Sequence, residues 1–157
     1  MKMDTRVSDL KKDVLEPIAN HIKKKRDSLM ELARFKNMGI EGWLKVEALA
    51  ALGNKVKKVQ NKGPDLVFEG PEGDIEIELK AATNFQLIWA KDGALQDGVP
   101  CLFLGQGSTR EMIEGLKSDE RFEIIGYEPF DDGKNEWLIA MIEPVQNPKG
   151  KRGSRLE

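Results

Sequence analysis

Residues 63–80 decide the fold, and they read GPDLVFEGPEGDIEIELK. Two runs that alternate apolar and polar residues flank a Gly-Pro-Glu-Gly segment, which is the pattern of a β-hairpin. A turn that closes symmetrically about residues 71 and 72 places Val67 opposite Glu76 and Asp65 opposite Glu78. Alternation then predicts one shared core face, formed by Leu66, Phe68, Ile75, Ile77 and Leu79.

The other face of this hairpin carries the charges, and the sequence predicts that it is exposed. Asp65 and Glu78 would lie directly opposite each other, an arrangement in which like charges normally destabilise a sheet. A divalent cation with Lys80 beside it would remove the repulsion. Glu76 falls on the same face and is a rival ligand. The alternative is an ordinary amphipathic hairpin with a solvated charged face.

The pattern Pro64-Asp65 followed by Glu78-Leu79-Lys80 resembles the signature of the PD-(D/E)XK nuclease superfamily. The resemblance implies a metal-dependent DNA endonuclease that hydrolyses phosphodiester bonds. It implies that Asp65 and Glu78 bind Mg²⁺ or Mn²⁺, that the backbone carbonyl of Leu79 adds a ligand, and that Lys80 orients or activates the attacking water.

A third carboxylate, Glu47, stands out in the helix predicted from Glu41 to Leu52. Its neighbours three and four residues away are all apolar, so a buried carboxylate there requires a cationic or protonated partner. The resemblance implies that Glu47 points to the hairpin and completes the metal site. The alternative is a partly exposed Glu at the edge of the stripe. Glu41 is a weaker substitute, because Lys45 can pair with it one turn later.

The predicted order of elements is helix, three strands, helix and strand over residues 40–105. This order is similar to the αβββαβ core of the restriction endonuclease-like fold. Because helices would cover both faces of a mixed central sheet, we expect an α/β (α+β) protein. We expect the second of these helices to begin after a cap at Thr83 or Asn84 and to reach about Leu95.

Helices before this core and strands after it complete one predicted domain, residues 1–146. Residues 1–38 form N-terminal helices that break or restart at Pro17, residues 39–105 form the core, and residues 106–146 supply a helix and a C-terminal β-hairpin. A basic, disordered tail is predicted for residues 147–157.

Charge is strongly segregated along the chain. Residues 1–62 carry 15 Lys and Arg against 8 Asp and Glu, whereas residues 63–147 carry 6 against 18. The run Lys23, Lys24, Lys25 and Arg26 is either a nucleic-acid-binding patch or a solvated helix face. We expect DNA as partner, reached through this basic side, and a symmetric homodimer, because a chain of 157 residues cannot easily enclose a duplex alone.

Other residue patterns exclude several function classes. No apolar run is long enough to span a membrane and the first residues are too polar for a signal peptide, so we expect a cytoplasmic protein. Cys101 lies in an apolar run and is expected to be a buried structural thiol. His21 is the sole histidine, which argues against a zinc site or a serine triad. Ser108 reads as a helix cap rather than part of a phosphate loop.

Two functions therefore compete. The first is a Mg²⁺-dependent deoxyribonuclease, with Asp65, Glu78, Lys80 and Glu47 as its catalytic residues. The second is a non-catalytic binding or assembly protein that keeps a nuclease-like fold. The nuclease function predicts that the side chains of Asp65, Glu78 and Lys80 lie close together. The non-catalytic function gives no reason for them to do so.

Overall fold

The N-terminal part of the chain is helical and is interrupted by a turn at Lys25. A computed structural model describes residues 7–35, 39–60, 64–70 and 73–145. A π-helical turn (Lys11–Leu15) runs directly into α1 (Glu16–Lys24), which is followed by α2 (Arg26–Arg34). The predicted restart at Pro17 is confirmed, because the regular α-helix begins at Glu16 and this proline lies in its first turn, where a missing amide is tolerated.

Helix α3 (Ile40–Leu52) is the first helix of the predicted core. Its buried residues recur every four positions and form one apolar stripe: Ile40, Leu44, Ala48 and Leu52. The helix ends at Gly53, whose φ of 60° reverses the chain into a 3₁₀ turn (Gly53–Lys55). Strand β1 (Val56–Val59) follows at once. This stripe turns the helix toward the sheet, which fixes the directions of its polar residues.

A six-stranded mixed sheet forms the centre of the described structure. It contains β1, β2 (Leu66–Gly70), β3 (Gly73–Ala82), β4 (Cys101–Gln106), β5 (Phe122–Asp131) and β6 (Glu136–Pro144), in the order β1-β2-β3-β4-β6-β5. Strands β3 and β4 are parallel, and the other neighbouring pairs are antiparallel. Helix α4 (Leu87–Asp97) connects β3 to β4, and α5 (Thr109–Lys117) precedes β5.

The hairpin between β2 and β3 has the predicted register. Leu66 pairs with Ile77, Val67 with Glu76, and Gly70 with Gly73. The predicted pair of Asp65 and Glu78 lies one step beyond the end of this ladder. The turn residues 71 and 72 lie outside the described residues.

Helices cover both faces of the sheet, which confirms the α/β (α+β) class. One core joins the N-terminal helices and α3 to the sheet residues Leu66, Phe68, Ile77, Leu79, Leu102, Leu104, Trp137, Ile139 and Met141. The other joins α4 and α5 to Cys101, Phe103, Leu138, Ala140 and Ile142. Among the described residues, no helix is both long enough and apolar enough to cross a bilayer.

Several local predictions can be compared with the structure. Ser108 caps α5, and its hydroxyl accepts a hydrogen bond from the amide of Glu111, as predicted. Cys101 is buried and unpaired, also as predicted. The predicted start of α4 is wrong: Asn84 has a left-handed φ of 54°, so the chain turns there and the helix begins at Leu87. The tail from residue 147 lies outside the described residues.

The C-terminal hairpin, formed by β5 and β6, is fastened by the buried carboxylate of Asp132. Asp132 accepts hydrogen bonds from the indole nitrogen of Trp137 (2.8 Å) and from the backbone amides of Lys134 and Asn135 (both 2.8 Å). Burial opposes its ionisation, but the hydrogen bonds from Trp137 and from the backbone outweigh this effect and lower the pKa of Asp132.

Replacing this carboxylate should therefore destabilise the fold. We expect Asp132→Ala to lower the free energy of unfolding by about 2–4 kcal/mol at pH 7, because a buried indole donor and two amides lose a charged acceptor. Urea titration followed by tryptophan fluorescence measures the change. Asp131→Ala is the matched control, since Asp131 accepts one exposed amide, that of Gly133, and should cost less than about 1 kcal/mol. Equal losses in the two variants would contradict this role.

Candidate active site

Glu78 and Lys80 lie on the face of β3 that α4 covers. Alternation sends Ile77 and Leu79 into the core beneath α3 and turns Glu78 and Lys80 the other way. Glu78 is only 8% exposed, so the expectation of an exposed charged face is wrong at this position. The reason is the parallel pairing of β3 with β4, since the connecting helix α4 must cross over one face of both strands.

Helix α4 approaches these two side chains closely at Gly93. A Cβ atom at this position would lie 3.2 Å from Cε of Lys80 and 3.6 Å from Cγ of Glu78. The absence of a side chain at Gly93 therefore allows the helix to cover the charged end of β3. Glu78 is enclosed between helix and sheet, whereas the Lys80 side chain remains 32% exposed.

Asp65 is held against the backbone between Glu78 and Lys80. Its Oδ2 atom accepts a hydrogen bond of 2.8 Å from the amide of Leu79, and its Oδ1 atom lies 3.0 Å from Nζ of Lys45. The Asp65 side chain is 13% exposed. The structure thus brings Asp65, Glu78 and Lys80 together, and it adds Lys45 from α3 as a cationic partner.

The Glu78 carboxylate lies in an unfavourable environment. Its Oε1 atom is buried and receives no hydrogen bond from any donor in the described part of the chain, while Oε2 lies 3.5 Å from Nζ of Lys80. Burial, a hydrogen bond from the protonated Glu78 carboxyl group to Asp97, and the charge of Asp65 raise the pKa of Glu78 to about 7. Lys80 opposes this rise but does not cancel it.

Lys80 remains a cation at neutral pH. Burial acts to lower the pKa of Lys80, but the charges of Glu41 and Glu78 outweigh burial, and the pKa is raised. A protonated ammonium can donate hydrogen bonds to water or phosphate oxygen and can stabilise negative charge. It cannot accept a proton, so orientation and charge stabilisation fit Lys80 better than the role of a base.

The structure pairs Glu47 with His21 and does not bring it to the hairpin. The Oε1 atom of Glu47 lies 2.6 Å from Nε2 of His21 on α1, and the Glu47 side chain is 14% exposed. Glu47 follows Lys45 by two residues, about 200° around the helix, so it points away from Asp65. The partner that a carboxylate in this apolar stripe requires is a histidine of the N-terminal layer.

Glu41 is the residue of α3 that faces Lys80. It lies one helical turn before Lys45, and its charge acts on the Lys80 ammonium. The expectation that Lys45 pairs with Glu41 is replaced by the pair of Lys45 with Asp65. Glu76, the rival ligand on β3, is exposed to solvent and lies two residues before Glu78.

Asp97 is the one carboxylate beside Glu78 that the sequence pattern does not indicate. It is the last residue of α4, and Cys101, which pairs with Glu78 across the parallel strands, follows shortly after it. Because Cys101 pairs with Glu78, the end of α4 also lies close to Glu78. Only the crossover connection could have indicated that Asp97 lies beside Glu78. If β4 is parallel to β3 and starts beside Glu78, the end of the helix before β4 must lie nearby.

The basic run at the junction of α1 and α2 is only partly free. Lys23 forms an ion pair with Glu128 on β5, whereas Lys24, Lys25 and Arg26 are exposed. An open concavity of about 590 Å³ lies here, lined by Asn20, Lys23, Lys24, Arg26 and Asp27. Three exposed cations can contact phosphates, although Lys23 already neutralises a carboxylate.

The donor set around Glu78 can be tested for its fit to a divalent cation. In residues 7–35, 39–60, 64–70 and 73–145, no three His, Cys, Asp or Glu side chains are grouped as a metal site. The chemistry of the site nevertheless fits a hard cation, since Oε1 of Glu78 is a buried oxygen without a donor and Asp97 and Asp65 add negative charge beside it. Asp65 already has a cationic partner, because Nζ of Lys45 lies 3.0 Å from its Oδ1 atom.

Comparisons with known proteins add no assignment. A scan against models of protein families, a search of curated proteins and a search of solved structures each found no match to this chain. The site itself is therefore the basis for a proposal about function.

The raised pKa of Glu78 predicts a pH-dependent stability. Between about 4.5 and about 7 the folded protein holds this proton more tightly than the unfolded chain, so stability falls as pH rises through that window. In metal-free buffer we expect Glu78→Gln to raise the free energy of unfolding by about 3 kcal/mol at pH 8 and to change it little at pH 5.

Chemical denaturation at the two pH values checks this expectation. Glu76→Gln is the matched control, because Glu76 is an exposed carboxylate on the same strand and its removal should leave stability unchanged at both pH values. A loss of stability in Glu78→Gln at pH 8 would contradict the unfavourable environment described for Glu78.

Proposed function

We propose that this protein is a metal-dependent DNA endonuclease of the PD-(D/E)XK kind. One observation carries the proposal: a buried carboxylate oxygen of Glu78 without a hydrogen-bond donor lies in the same small site as the cationic Lys80. Asp65 is tied to the amide of the residue between them. Buried charges of this kind are common at catalytic sites and costly elsewhere.

Glu78, Asp97 and Asp65 would hold the divalent ion, Mg²⁺ or Mn²⁺. When bound, such an ion polarises the phosphodiester and makes a nearby water easier to deprotonate. Leu79 donates its amide to Asp65, and a role for its carbonyl oxygen stays a prediction. Glu47 is left out of this proposal, because its carboxylate pairs with His21.

Lys80 has the clearest role among the protein groups. Its ammonium stays protonated, so it can orient a water toward the phosphorus and stabilise charge that develops on the phosphoryl oxygens. Helix α4 lies over part of the Lys80 side chain, which is 32% exposed, so bulk solvent screens its charge less than on an open surface. Glu41 keeps the lysine charged from the side of α3.

DNA would reach this site against an acidic background. Residues 63–147 carry 18 acidic against 6 basic side chains, so the exposed Lys24, Lys25 and Arg26 are the best candidates for contacts to the backbone phosphates. A symmetric dimer belongs to the proposal, because one chain supplies one site and a duplex has two strands.

A non-catalytic binding or assembly role is favoured by one specific observation. Lys45 already neutralises Asp65, and the amide of Leu79 occupies its other oxygen, so Asp65 is fully satisfied without a metal. Under this second function, Asp65 and Lys45 would form a structural link between α3 and the hairpin.

Cleavage assays separate the two functions. With Mg²⁺ or Mn²⁺ and with plasmid, single-stranded and branched DNA, we expect metal-dependent cleavage that falls by at least about 100-fold in Glu78→Gln and Lys80→Ala. Glu69→Gln is the matched control, since Glu69 is an exposed carboxylate of the same hairpin and should cleave like the unmodified protein. Glu47→Gln tests the residue that the structure pairs with His21, and it should retain cleavage.

The same variants give a second measurement. Calorimetric titration with Mn²⁺ should show binding to the unmodified protein and to Glu69→Gln, and loss of binding in Glu78→Gln. Absence of metal-dependent cleavage on all three substrates would leave the non-catalytic function as the answer. Equal cleavage by Glu78→Gln and the unmodified protein would reject the assignment of catalysis to this site.

A further inference from the structure

A pocket with aromatic walls opens directly beside Lys80. Its volume is about 310 Å³, and its lining residues are Glu41, Lys80, Ala81, Ala82, Phe85 and Trp89. Ala81 and Ala82, which follow Lys80 on β3, both line the pocket, and their small side chains fill little of it. The pocket is thus continuous with the candidate active site through Lys80 itself.

The aromatic wall of the pocket is fixed from below. Phe85 stacks on the buried ring of Phe103 with centroids 4.9 Å apart and planes within 8°. Its amide donates to the carbonyl of Gln106, and a Cβ atom at Gly105 would lie only 2.6 Å from Cγ of Phe85. Gly105 is therefore the residue that allows the Phe85 ring to lie flat against β4.

Trp89 packs against Phe85 and is partly exposed to solvent. Its ring meets the Phe85 ring edge to face, with centroids 5.7 Å apart and an angle of 87° between planes. The Trp89 side chain is nevertheless 45% exposed, which is unusual for a large aromatic residue that has packing partners. A half-exposed indole that packs on Phe85 and lines the same pocket as Lys80 can stack with a flat, polar aromatic ligand.

We propose that this pocket binds one unpaired nucleobase of the DNA substrate, stacked on Trp89. The proposal rests on the nuclease function, and it names the substrate class as single-stranded DNA or duplex DNA with unpaired bases. Every base presents a π-face, and stacking on aromatic side chains is the usual way in which proteins hold unpaired bases. A base inside a duplex has both faces covered and cannot enter.

The polar residues of the pocket fit the same ligand. The Glu41 carboxylate can accept a hydrogen bond from the exocyclic amino group of a base, and the Lys80 ammonium can contact a base oxygen or the adjoining phosphate. Because Lys80 belongs both to the pocket and to the candidate active site, a base seated here would place its own backbone next to Glu78.

Binding assays test the pocket without requiring cleavage. Fluorescence anisotropy in EDTA, with a labelled 12-nucleotide single strand and the matched perfect duplex, measures affinity for each form. We expect Trp89→Ala to weaken binding of the single strand by roughly 5- to 150-fold and to change duplex binding by less than about twofold. Trp89→Phe, which keeps a stacking ring, should retain most of the affinity.

Ile88→Ala is the matched control for loss of exposed apolar surface. Ile88 is 50% exposed and adjoins Trp89, but it does not line the pocket, so its replacement should leave single-strand binding unchanged. Equal effects of Trp89→Ala on single strand and duplex, or no effect on either, would overturn the proposal. Sedimentation that shows Trp89→Ala and Ile88→Ala both turning a dimer into monomers would also overturn it, in favour of a subunit interface.

The two proposals can fail separately. Single-strand binding that depends on Trp89, in a protein that cleaves no DNA, would support the pocket and reject the nuclease function. Metal-dependent cleavage with no preference for unpaired DNA, unchanged in Trp89→Ala, would support the nuclease and reject the pocket.

Discussion

The parallel pairing of β3 with β4 is the constraint on which the candidate site depends. Parallel neighbours need a crossover connection, and here that connection is α4, which must pass over one face of the two strands. The covered face is the one on which Glu78 and Lys80 lie. A charged strand end that an antiparallel pairing could have left in solvent is therefore enclosed by a helix, and the end of that helix brings Asp97 beside Glu78.

Enclosure changes what the charged groups can do. Glu78 is held in a position where its ionised form is disfavoured by burial and by two neighbouring carboxyl groups. The charges of Glu41 and Glu78 raise the pKa of Lys80, which lies two residues after Glu78. The result is a carboxyl group with a pKa of about 7 beside a lysine that stays protonated. A carboxyl group with a pKa near neutrality is common at catalytic sites, and a solvated charged face would not provide it.

Much of the hairpin follows from the sequence because its determinants are local. The alternation of apolar residues and the position of the turn fix the register from Leu66–Ile77 to Gly70–Gly73 without reference to the rest of the chain. The cap at Ser108 is equally local, since the residues that form it are neighbours in sequence. The order of strands and helices follows for the same reason.

The sequence does not reveal which helix or strand each polar side chain contacts. The neighbours of Glu47 within its helix show that it needs a partner, but the partner, His21, lies 26 residues away in a different helix. Burial of Glu78 depends on the parallel crossover, and the position of Asp97 depends on where that crossover ends. The late start of α4 depends on the left-handed turn at Asn84, a conformation that the residue permits and does not require.

Lys45 has a consequence for how this protein would acquire a metal. Many small metal sites consist of acidic groups that repel one another until the ion arrives, and their folding waits for the ion. Here the ammonium of Lys45 forms an ion pair with one oxygen of Asp65, and the amide of Leu79 donates a hydrogen bond to the other oxygen. If the site binds a divalent ion as proposed, the chain would fold before the ion arrives, and the ion would bind reversibly instead of being required for folding.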